Sequence, residues 1–73
     1  MENLVRLTCV LTHRDDDSFY VNSSNECFVR CIGFDTSEIP LKSYLHIIGH
    51  LANAIAKNIT YTVVYVDSLA IIP

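Results

Sequence analysis

The chain has 73 residues, a formal net charge of -3 and 51% hydrophobic residues. That length holds one small core, which is marginal on its own and is commonly reinforced by a partner surface, a metal or disulfides. Its five cations, Arg6, Arg14, Arg30, Lys42 and Lys57, are scattered, whereas a nucleic-acid footprint needs them clustered to neutralise phosphates. The expectation is therefore no nucleic-acid partner. No apolar run approaches the roughly 20 residues of a membrane span, and residues 1–12 carry Glu2 and no leader-like apolar core. Together these point to a cytoplasmic protein that works away from membranes.

Residues 3–12 alternate with period two and predict a strand, with Val5, Leu7, Cys9 and Leu11 on its apolar face. His13 to Asp17 interrupts the pattern with Asp15, Asp16 and Asp17, adjacent like charges that stay in water. Ser18 to Asn22 reads as a second strand. Turn chemistry in residues 22–25 then leads to a third strand over 26–34, so the two runs predict a hairpin.

Asp35-Thr36-Ser37-Glu38 followed by Pro40 is a helix-entry signal, and the spacing predicts a helix from about Pro40 to Lys57. Leu41, Leu45, Ile48, Ala52 and Ile55 form one apolar stripe, and Tyr44, Ile47, Leu51 and Ala54 a second. An amphipathic helix needs only one stripe. The second is thus expected to meet another surface, a second copy of the chain or a target. Gly49 costs such a helix about 1 kcal/mol against Ala, which calls for a close approach by something else. Lys57 and Asn58 suit the helix end. Ile59 to Asp67 is a strand, with Leu69 to Ile72 as a short fifth strand or docked tail. The predicted fold is α+β in the order β-β-β-α-β: a mainly antiparallel sheet of four or five strands with one helix on one face, within one domain over residues 1–73.

Chemical signatures are sparse. His46 and His50, at i and i+4 of the predicted helix, could share a metal, but no third ligand is placed to complete a site. Cys27 and Cys31 would lie about 13 Å apart along a strand, too far for a disulfide, so Cys9, Cys27 and Cys31 read as reduced core residues. No nucleophile is paired with a base. The aspartate triplet beside Phe19 and Tyr20 offers an acidic rim around an aromatic anchor, a docking patch.

The resulting expectation is a non-enzymatic interaction protein without cofactor or metal. It would act as a regulator or inhibitor by binding another protein, of the type phages direct against host systems, and form a homodimer. Its interface candidates are Tyr44, Ile47, Leu51, Ala54, Asp15, Asp16, Asp17, Phe19 and Tyr20. The alternatives are a metal- or ligand-binding module on the helix histidines and, more weakly, a small enzyme with a cysteine or histidine site.

Overall fold

The computed structural model describes residues 3–23 and 28–73. Among these residues there is no helix. Five strands, β1 (Leu4–Arg14), β2 (Ser18–Ser23), β3 (Phe28–Ile32), β4 (Tyr44–Ala56) and β5 (Ile59–Ile72), close into a barrel in the order β1-β2-β3-β5-β4. All neighbours are antiparallel except β3 and β5, which run parallel at Cys31↔Val64 and Ile32↔Tyr65. The α+β expectation is corrected to a closed all-β barrel.

The correction turns on residues 44–56. Read with period two, Leu45, Ile47, Gly49 and Leu51 share one face, and Tyr44, His46, Ile48, His50, Ala52 and Ala54 the other. Both faces are apolar enough to mimic a broad helical arc, and a run apolar on two sides carries no period that separates helix from strand. Three local facts favour the strand. Ile47-Ile48 is β-branched. Gly49 weakens a helix. Lys57 and Asn58 both have positive φ, 51° and 65°, the pair required by a two-residue type I′ hairpin turn. The residues read as a helix cap therefore reverse the chain, and β4 pairs with β5 from Ala56↔Ile59 to Tyr44↔Ile72. The predicted Ile59 to Asp67 strand and the separate tail are one strand with a register shift near Asp67.

Gly49 does have its close approach. A Cβ built there would lie 2.3 Å from the Tyr65 carbonyl oxygen and 2.9 Å from Val64 Cγ1. Bare backbone is what lets β5 cross β4 at the irregularity.

The core lies inside the barrel. Leu11, Phe19, Val21, Cys31, Leu45 and Ile47 are fully buried, with Cys9, Val64 and Val66 beside them. Residues 33–43, expected as the end of the third strand (33–34) and the opening of the helix, form a loop across one barrel end. Ile39 joins the core from it. The loop is pinned to β1 by the Lys42 N–H on the Leu11 carbonyl (2.7 Å) and the Leu11 N–H on the Ser43 carbonyl (3.0 Å). The Arg14 guanidinium also donates to the Ile39 carbonyl and, at 3.3 Å, to Thr36 Oγ1. No described helix is long and apolar enough to cross a membrane.

Candidate ligand groove on the barrel wall

The proposed second helical stripe does not exist as a surface, because residues three apart on a strand face opposite ways. Ile47 is in the core. Tyr44 is exposed on the outer wall. Leu51, on the inner side of β4, is 42% exposed where the hairpin leaves the barrel, and Ala54 lies opposite Tyr61 on the outer side. The structure disperses these four candidates.

The histidine pair is separated for the same reason. His46 and His50 share the outer face of β4 but lie four strand residues apart, about 13 Å by strand rise. His46 Nδ1 is 3.4 Å from Thr8 Oγ1. His50 stacks on Tyr65, with centroids 5.4 Å apart, and places Nδ1 3.1 Å from Asp67 Oδ2. Among the described residues, no three His, Cys, Asp or Glu side chains gather as a metal site requires.

The two described cysteines are free and buried. Burial pushes the Cys9 thiol up to about 11. It pushes Cys31 to about 12, with the nearby Cys9 adding to the effect. A thiol held this firmly protonated is a poor nucleophile. Cys27 lies outside the described residues, as does part of the turn expected at 22–25.

The acidic docking patch has a physical counterpart, with one residue exchanged. Phe19 is fully buried and belongs to the core, as the inward parity of β2 requires. Tyr20, its neighbour, points outward. Its surroundings are set by a bulge: the β1–β2 register shifts between Leu11 and His13, leaving Thr12 as the extra residue. Bulges re-aim side chains, and this one brings His13 opposite Tyr20. The two rings meet edge to face with centroids 6.3 Å apart, and Thr12 Oγ1 donates to the Tyr20 carbonyl at 3.1 Å.

Around Tyr20 runs an open groove of about 610 Å³, lined by Thr12, His13, Arg14, Asp15, Phe28 and Leu41 besides the tyrosine itself. Phe28 is 65% exposed and Leu41 50%. Leu41 is delivered by the pinned 33–43 loop, where the positive φ of Lys42 (72°) turns the chain back to β4. Asp15 lines the groove from a turn closed by its own N–H on the Ser18 carbonyl (2.8 Å). Asp16 and Asp17 continue from it along an adjoining hollow with Arg14, Ser18 and Arg30.

Arg30, opposite Tyr20 on β3, is already engaged. Its Nη1 donates to the Tyr61 hydroxyl at 2.6 Å, and its guanidinium sits 5.4 Å over that ring. It contributes to the wall more than to free positive charge.

His13, Phe28 and Leu41 are not among the interface candidates read from sequence, where Leu41 is placed on the first helical stripe. Alternation along β3 puts Phe28, Arg30 and Ile32 on one face, which identifies the exposed aromatic. Leu41 carried no such signal, since its place depends on a loop pinned by long-range bonds. Compared with known protein families, curated proteins and solved structures, the chain matches none.

Proposed function

We propose that this protein is a non-enzymatic binding barrel that engages another protein through the groove of Tyr20, Phe28 and Leu41, and so regulates or inhibits it. The observation that carries the reading is the exposure of two large apolar side chains, Phe28 and Leu41, beside the half-buried Tyr20 in one groove that a carboxylate, Asp15, also lines. Aromatic anchors in a pocket with a charged rim are the usual centre of a protein interface. The aspartate triplet favours a partner segment with an apolar side chain flanked by lysine or arginine.

Architecture lends support by analogy only. Five-stranded Greek-key barrels of the OB type take oligonucleotides or oligosaccharides on strands 2 and 3 and the adjoining loops. The groove here lies on that side, but the β1–β2 turn is acidic and repels a phosphate backbone. A protein ligand therefore fits the charge better than a nucleic acid. In our reading the barrel works in a reducing, cytoplasmic setting. Two unpaired buried thiols agree with that compartment.

The test is site-specific photo-crosslinking in cells of the source organism. A photoreactive phenylalanine analogue replaces Tyr20, or, as control, Thr62 on the β4–β5 hairpin. A discrete protein adduct from position 20 and not from 62 supports the reading, and Asp15→Lys should weaken it. Adducts confined to nucleic acid, or an identical pattern from both positions, would overturn it.

A further inference from the structure

The barrel closes through only a short contact between β3 and β5, and the end of β5 runs past it. β3 meets β5 at Cys31↔Val64 and Ile32↔Tyr65. From Asp67 to Ile72 the described pairing of β5 is with β4 alone. The hydrogen-bond phase of the sheet shows which groups are left over.

At one end of the β1–β4 ladder the Leu51 N–H bonds the Asn3 carbonyl (2.9 Å), and at the other the Leu11 N–H bonds the Ser43 carbonyl (3.0 Å). Narrow and wide pairs alternate in an antiparallel ladder, so the odd-numbered residues of β4 turn their peptide groups to β1. Tyr44, His46 and Ile48 turn theirs to β5, where their partners are Ile72, Ala70 and Ser68. Leu69 and Ile71 consequently aim both N–H and C=O away from β4, on the side where β3 has ended, and no described backbone group pairs with them there.

Natural sheets blunt such edges with lysine, proline or inward charges, and here a proline, Pro73, stands just past the strand's end. Residues 68–72 (Ser-Leu-Ala-Ile-Ile) have none of these. The one charge beside them, Asp67, is turned to His50 on the neighbouring strand at 3.1 Å. Ile71 is 54% exposed and Ile72 38%.

We infer that this edge pairs with the same edge of a second copy, antiparallel about a twofold axis at Ala70. In that register Leu69 and Ile71 of one chain each exchange both N–H···O=C hydrogen bonds with Ile71 and Leu69 of the other, the phase that each strand already presents. Ser68 then faces Ile72, Ala70 faces Ala70, and none of the paired residues 68–72 carries a charged side chain. One neutral segment serves both sides, as an isologous contact requires. The two β1-β4-β5 sheets become one continuous sheet, and the isoleucines gain cover. This contact is separate from the Tyr20 groove and stands or falls without it.

Sedimentation of the full chain over a concentration series, with residue-resolved amide hydrogen exchange, tests the inference. The wild type should sediment as a dimer at tens of micromolar, with the Leu69 and Ile71 amides losing protection on dilution while Ala70 stays protected. Ile71→Pro removes an outward N–H and none of the bonds to β4, so it should give a monomer with an unchanged far-UV spectrum. Ile71→Lys, which keeps the backbone intact, should raise the dissociation constant at least tenfold and covers the case in which the proline variant misfolds. A wild type that stays monomeric at a millimolar, or a dimer whose strength Ile71→Lys leaves unchanged, overturns the edge pairing. So does protection of Leu69 and Ile71 that ignores concentration, which would mean that the edge is covered within one chain.

Discussion

Substituting Gly49 by alanine separates a helix from a barrel by the sign of its effect. In an exposed helix, Gly→Ala stabilises by about 1 kcal/mol. In the barrel, the new methyl would sit 2.3 Å from the Tyr65 carbonyl oxygen and 2.9 Å from Val64 Cγ1, with the Tyr65 carbonyl carbon at 3.1 Å. Two of these atoms are backbone and cannot swing aside. The third belongs to a valine that is 2% exposed in the core. Gly49 has no positive φ, so the penalty is steric and not conformational. Forcing one methyl into a packed region costs about 1–3 kcal/mol. With about 4–8 °C per kcal/mol for a domain of this size, Gly49→Ala should lower Tm by roughly 8–16 °C at the middle of that range. A thermal melt followed by far-UV circular dichroism, in a buffer where refolding is reversible, reads the shift. A Tm that rises, or moves by less than a degree or two, would refute the close crossing of β4 and β5.

The other predictions probe the turn, the loop and the thiols. Lys57→Gly, at a position forced to positive φ, should stabilise by about 0.5–1 kcal/mol; the same change in a helical last turn would destabilise, and denaturant titration distinguishes them. Arg14→Met removes the guanidinium from the Ile39 carbonyl and from Thr36. It should cost about 1 kcal/mol and speed hydrogen exchange at the Ile39 and Lys42 amides, with β2 and β3 unaffected. Cys9 and Cys31 should react with a thiol reagent at pH 8 only as fast as the chain opens; prompt labelling of the folded protein at either position would contradict their burial. Their folded pKa values, about 11 and 12, exceed the ordinary 9.0. The unfolded chain thus releases protons first, and their stabilising effect is complete below pH 9 and declines as pH rises toward 11–12. Cys31→Ala should flatten that alkaline decline, which chemical denaturation between pH 8 and 10.5 would measure.

The local alphabet of this chain was readable where one face is polar and the other is not. β1 was expected at 3–12 and spans Leu4–Arg14; β2 was expected at 18–22 and spans Ser18–Ser23. The aspartate turn between them and the start of β5 follow from the same alternation and from charge. The close approach demanded by Gly49 was legible too, though not its partner. Residues 44–56 were not decided locally, since their side chains satisfy both periods. What selects the strand is the hairpin with β5, whose cross-strand partners lie up to 28 residues away at Tyr44↔Ile72. Tertiary pairing then overrides helical signals such as the Asp35 to Glu38 entry, whose Asp35 carboxylate instead accepts the Ser37 N–H at 2.9 Å within the loop.

The groove shows the same division. Composition and alternation mark Tyr20 as an aromatic beside acids, while the difference between Tyr20 and Phe19 is one of strand parity about a barrel axis. The arrival of Leu41 at that wall, and the open amides of Leu69 and Ile71, depend on which strand lies beside which. Side-chain pattern sets how each segment prefers to face water. Only closure of the barrel determines which backbone groups find partners and which apolar groups are left outside.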